Sequence, residues 1–213
     1  MSRHVIGTLT FACALPFGAV LAQDGGVRGT INVPDSGITG IVVYLVPESG
    51  APTAPPPMKA AMDQRGLKFV PRVVAVTPGS TVTFPNSDAV LHSVFHPSMH
   101  GDAFDLGTYS KGEQRSFTFA NEGAFVIFCR VHPEMIGYVV VVGAPHIAVS
   151  NDSGAFQLEG VAPGAYRLHT WHRRLRSLDE AVSVPAGGTV TLRLALKRGV
   201  PVTPRVAGGP PGK

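Results

Sequence analysis

Cysteine is almost absent from this chain of 213 residues; there are two, Cys13 and Cys129. Charge is sparse too, with 18 Lys+Arg against 14 Asp+Glu and a formal net charge of +4. So small a basic excess is not the footprint of a nucleic-acid binder. Long helical patterns are few, while Gly (25) and Pro (19) are plentiful. That balance argues an all-β chain, long enough for one or two domains. No Ser, His and Asp arrangement supports nucleophilic catalysis, and the chain is read as not an enzyme.

Residues 1–22 read as a secretory signal. Arg3 and His4 form a short basic start, Val5 to Leu21 is apolar, and Val20-Leu21-Ala22 is a small-residue cleavage site before Gln23. The alternative is a membrane anchor, but Pro16 interrupts the run, and about 17 residues is the low end for a span. Thr10-Phe11-Ala12 before Cys13 does not resemble a lipid-attachment box. Cleavage leaves Cys129 as the single thiol, excludes an intramolecular disulfide, and implies a periplasmic or secreted protein with no membrane span. A lone free thiol is a liability in an oxidising compartment. Metal occupancy explains its retention; the alternative is a buried, inert cysteine.

What is present centres on Phe125-Val126-Ile127-Phe128-Cys129-Arg130-Val131-His132-Pro133-Glu134-Met135. Alternation along this strand-like run puts Phe125, Ile127 and Cys129 on one face. A tight turn after it can gather Cys129, His132 and Met135 round one point. A second imidazole is available from His92, where the polar turn Asn86-Ser87-Asp88 runs into an apolar strand. Two imidazoles, a thiolate and a weak thioether form a mononuclear blue-copper electron-transfer site. The expected metal ligands are therefore His92, Cys129, His132 and Met135, holding one type 1 copper ion.

These stretches resemble the cupredoxin family of the plastocyanin and amicyanin type. The resemblance also rests on Phe69-Val70-Pro71 and on Val76-Thr77-Pro78-Gly79-Ser80-Thr81-Val82-Thr83-Phe84-Pro85-Asn86, and spans about residues 58 to 142. It implies a Greek-key β-sandwich. The short C-x2-H-P-x-M loop looks most like amicyanin. One position departs from the family pattern: Ser93 stands where Asn usually ties the two ligand loops together. No second cysteine occupies the ligand loop, so a dinuclear purple-copper site is not expected, and the H-x-H pairs of multicopper oxidases are missing.

Around this segment lie Val27–Val33 and Gly40–Val46, then Asn151–Leu158, Val161–Leu168 and Gly188–Leu196. These are short strand-like runs split by turn residues. The D-S-G-x-F and P-G-x-Y pattern resembles carboxypeptidase-regulatory, transthyretin-like β-domains. The opening strands of that pattern lie before the cupredoxin-like segment and the rest after Pro145. The expected fold is therefore all-β: a cupredoxin β-sandwich at 58–143 inserted into a second small transthyretin-like β-sandwich at 24–50 and 145–198. Residues 49–57 read as a stiff Pro/Ala-rich linker and 199–213 as a disordered tail.

Three other clusters are weighed. His96, Met99 and His100 could form a second copper or docking patch, with a plain surface loop as the favoured reading. His169 and His172 flank Trp171 but have no third ligand nearby in sequence, and Trp171 reads as packing within the second β-unit. Arg173, Arg174 and Arg176 form a basic run, solvated by default or docking an acidic partner. Two functions follow from the copper site. One is electron carriage to or from a redox partner protein, which the resemblance implies is a periplasmic dehydrogenase or a c-type cytochrome. The other is copper storage, delivery or sensing.

Overall fold

The structure is a computed structural model that describes residues 23–49, 55–98 and 102–204. The expected signal segment 1–22, much of the linker, Met99, His100 and the end of the tail lie outside the described residues. Every regular element described is a strand. The chain opens with β1 (Gly25–Asn32) and β2 (Val42–Pro47). The central segment contributes β3 (Lys59–Ala61), β4 (Asp63–Gln64), β5 (Phe69–Val70), β6 (Val73–Val76), β7 (Ser80–Pro85) and β8 (His92–His96). It continues with β9 (Phe104–Tyr109), β10 (Gln114–Phe119), β11 (Gly123–Phe128) and β12 (Ile136–Val141). The last stretch holds β13 (His146–Val149), β14 (Ala155–Val161), β15 (Gly164–Trp171), β16 (Asp179–Val184) and β17 (Thr189–Ala195).

Four sheets stack face to face, and β4 and β5 pair as a separate two-stranded ribbon. The first has order β10-β7-β3, and the second β6-β12-β11-β8-β9. The third has order β13-β2-β15-β16 and the fourth β14-β1-β17. β1 thus pairs with β14 and β17, and β2 with β13 and β15, all drawn from the two ends of the chain. Three apolar cores fill the gaps. Phe84, Val82, Phe119, Ile127 and Val139 lie between the first and second sheets. Val43, Leu45, Leu158 and Leu168 lie between the third and fourth. The middle core joins Val42, Tyr44 and Trp171 to Val73, Tyr138, Val140 and Val142.

Side-chain alternation explains the stack. β7 is buried at every second residue, as a strand with one wet face must be. β2 and β12 are buried almost throughout, and both read as unbroken apolar runs, Val42-Val43-Tyr44-Leu45-Val46 and Tyr138-Val139-Val140-Val141-Val142. Odd and even residues of each run feed different cores, so these strands sit in the inner layers. Trp171 is 4% exposed and packs on Tyr138, with ring centroids 5.7 Å apart. It therefore fills the core shared by the central segment and its flanks, where sequence placed it inside the flank alone. At the Asn151–Gly154 turn, Gly154 has φ +78°, and a Cβ there would stand 2.4 Å from the Ile31 carbonyl oxygen. Only glycine lets β14 enter its pairing with β1 at that point.

Candidate metal centre

The strand β11 ends just before Cys129, and its alternation buries Phe125, Ile127 and Cys129 together as expected. Cys129 is 2% exposed at the rim of the first core. The chain then turns: the Met135 amide donates to the His132 carbonyl at 3.0 Å, which brings His132 back over the thiol. His92 opens β8 on the neighbouring strand and is fully buried. Three donor atoms converge as a result. His92 Nδ1 lies 3.8 Å from Cys129 Sγ, His132 Nδ1 lies 3.9 Å from it, and the two nitrogens are 3.1 Å apart.

That triangle has the size of a metal site. The point equidistant from its corners lies about 2.1 Å from each, against about 2.0–2.3 Å for imidazole and thiolate bonds to a first-row ion. Among the described residues no other cluster of His, Cys and acidic groups has this geometry. His132 is half-buried while His92 is enclosed, so one of the two rings reaches the surface. Met135 is 1% exposed and closes the turn that carries His132.

The surroundings set the protonation and hold the loops. His92 Nε2 lies 2.9 Å from Asp88 Oδ2. Asp88 also accepts the Leu67 amide at 2.9 Å and the Gly66 amide at 2.7 Å. The Leu67 amide foremost, with the Gly66 amide and the His92 ring, holds the Asp88 carboxyl down at about 2. An ionised carboxylate can only accept, so His92 carries its proton on Nε2 and turns the bare Nδ1 toward Cys129. Asn86 fixes the same loop: its side-chain amide donates to the Val90 and Tyr109 carbonyls, and its oxygen accepts the Asp88 amide.

Ser93 ties the two ligand loops where the family pattern has Asn. Its Oγ accepts the Arg130 amide at 2.8 Å, and its own amide points at Cys129 Sγ at 3.4 Å. The hydroxyl also approaches the sulfur at 3.9 Å.

The remaining candidates are dispersed. His96 is the last residue of β8 and buried, not part of a surface loop. Its Nδ1 lies 2.9 Å from the Val126 carbonyl oxygen, and its ring packs on Phe125. His169 stacks on Tyr44, while His172 accepts the Arg174 amide at 3.3 Å. Sequence reasoning missed Asp88 and Asn86. The only signal for either was their place in the polar turn leading to His92.

Residues 56–142 match the family described as copper binding proteins, plastocyanin/azurin family. Amicyanin from Paracoccus denitrificans is 37% identical over 82 residues, covering 38% of this chain and 63% of that protein. The match thus spans less than two thirds of its length. A solved structure of a reduced amicyanin variant is 30% identical and covers 38% of this chain and 79% of its own, with a TM-score of 0.37. A purple cupredoxin from Nitrosopumilus maritimus is 24% identical, covering 38% and 98%, with a TM-score of 0.35. The donor triangle lies within the matched stretch: residues 56–142 carry the likeness to the plastocyanin/azurin family of copper-binding proteins.

Proposed function

We propose that this protein carries single electrons through one copper ion, which His92, Cys129, His132 and Met135 would hold. The observation that supports this most is the convergence of two imidazole nitrogens and one thiol sulfur within 3.9 Å of one another. A trigonal His2Cys set with a weak thioether is the blue-copper pattern. Bound copper supplies the Cu(I)/Cu(II) couple. The chain supplies a fixed cage: Asp88 orients His92, Ser93 joins the two ligand loops, and the first core seals the sulfur from water. With four protein ligands no position is left open for a substrate, which favours a carrier over an enzyme.

The surface around His132 suits a protein partner. Val131 is 46% exposed, and Leu91 and Val90, which lead into His92, are 52% and 45% exposed. An apolar rim round a half-buried imidazole suits brief docking of a redox protein, and a periplasmic dehydrogenase or c-type cytochrome is the class we favour. A periplasmic or secreted location rests on the signal-like residues 1–22; among the described residues no helix is long and apolar enough to cross a membrane. We further propose that 58–143 forms the copper domain and that 24–50 with 145–198 forms a discontinuous carboxypeptidase-regulatory-like β-domain. The pairing of β1 and β2 with strands beyond residue 145 supports this division.

The copper-delivery reading loses one of its three extra donors, since His96 is buried and its Nδ1 is engaged. Ascorbate decides between the two. A carrier loaded with Cu(II) bleaches reversibly and keeps its ion through repeated cycles. Loss of Cu(I) to a weak chelator on reduction would favour delivery instead.

A further inference from the structure

Where the middle core reaches the surface, a cavity of about 40 Å³ opens between the central segment and its flanks. Arg72 and Tyr138 line it from the central segment, and Thr39, His172, Arg173 and Arg174 from the flanks. None of its lining residues is acidic. Arg72 and Arg173 make no ion pair among the described residues, and Arg174 shares Asp35 with Arg198, at 3.8 Å and 2.6 Å. Three arginines therefore line one small hollow with a single, shared counter-charge.

One of the three is anchored on Tyr138. Arg173 donates from Nη1 to the Tyr138 hydroxyl at 2.7 Å and lies over its ring, 5.7 Å from the centroid. The main chain of Arg72 is tied to the same strand, its carbonyl accepting the Tyr138 amide at 2.9 Å. The Arg174 amide donates to His172 Nδ1, so the His172 proton sits on Nε2. Burial first, then the charges of Arg174, Arg173 and Arg72, push His172 down to about 4. A buried N–H donor beside three arginines, one of them anchored to Tyr138, is an environment for an anion.

We propose that this cavity binds one small oxyanion, clasped by Arg72, Arg173 and Arg174 across the seam between the central segment and its flanks. Space for about three water molecules accommodates a single phosphate, sulfate or carboxylate group and excludes a nucleotide. The guanidinium fork matches such groups in a two-point fashion. Because the cations come from both sides of the seam, the bound anion would tie the copper-bearing segment to the flanking sheets. The site is separate from the copper ligands, and its test does not depend on them.

Calorimetric titration of the full chain at pH 7 and constant ionic strength tests it, with inorganic phosphate, sulfate and acetate each compared against chloride. Saturable one-to-one binding of phosphate or sulfate is expected, and a matching response to acetate alone would assign the site to a carboxylate. Arg72→Gln, a change at an exposed side chain, should weaken binding roughly tenfold or more, the scale of one lost charge-assisted hydrogen bond. Arg72→Gln/Arg173→Gln should abolish it, and Arg28→Gln, the same charge change on β1, should leave it intact. No saturable binding beyond chloride overturns the proposal. Binding that survives Arg72→Gln unchanged, or that falls equally in Arg28→Gln, overturns it as well.

Discussion

Asp88 shows how much of a metal site resides in a residue that never touches the metal. Its carboxylate accepts two amides and the His92 ring, and so decides which imidazole nitrogen faces the sulfur. Removing such a partner costs roughly 10–100-fold in metal affinity. Asp88→Ala is accordingly predicted to weaken copper binding by about that factor, measured by competition with a chromophoric chelator. Unchanged affinity would mean that the first core alone fixes the ring. The ligand-type residues themselves were legible because few residue types serve as soft donors. One thiol, a C-x2-H-x2-M loop and one strand histidine leave little choice. Asp88 was not legible, since an acid in a polar turn usually faces solvent. Ser93 illustrates the reverse: judged by reach alone it looked short, yet the loops approach closely enough for 2.8 Å to suffice.

At the level of elements, β15 and the turn after it carry the residues that distinguish the two ends of the molecule. Tyr166, Leu168 and Trp171 are buried, and the chain then leaves the sheet through His172 to Arg174. His172 is 9% exposed, and its pKa is pushed down to about 4, by burial first and then by Arg174, Arg173 and Arg72. The unfolded chain protonates this histidine near 6.5, whereas the folded one resists down to about 4. A lowered histidine pKa therefore leaves stability intact above pH 6.5 and erodes it as pH falls toward 4. From pH 7 to pH 5 its share of the loss should be about 2 kcal/mol. Urea unfolding at the two pH values should show that much steeper a decline in the native protein than in His172→Gln. Equal declines would place the proton uptake elsewhere. Sequence located β15 in outline, but β16 went unnoticed, because Asp179 and Glu180 at its start mask the alternation of Val182 and Val184.

At the scale of the whole molecule, the described residues stack four sheets beside the small β4-β5 ribbon, and the inner two sheets meet through apolar contact. The apolar runs at 42–46 and 138–142 were visible as buried strands. Which faces meet was not, because a strand buried on both sides loses the alternation that would orient it. The shared core makes the copper segment and the flanks one cooperative unit. Trp171→Ala, a large-to-small change in that core, should cost about 3–5 kcal/mol. It should lower together the melting of the sheets followed by far-ultraviolet circular dichroism and the loss of visible absorption from the copper-loaded protein. Two separated transitions, with only the first moved by Trp171→Ala, would contradict the shared core.

The central claim is that His92, Cys129 and His132 hold copper through a thiolate. Titrating the metal-free protein with Cu(II) tests it most directly. An intense visible thiolate-to-copper band should grow and saturate at one equivalent, and Cys129→Ser should abolish it, because a hydroxyl is a hard donor of high pKa. The absence of such a band at one equivalent of Cu(II), or its persistence in Cys129→Ser, would contradict the account.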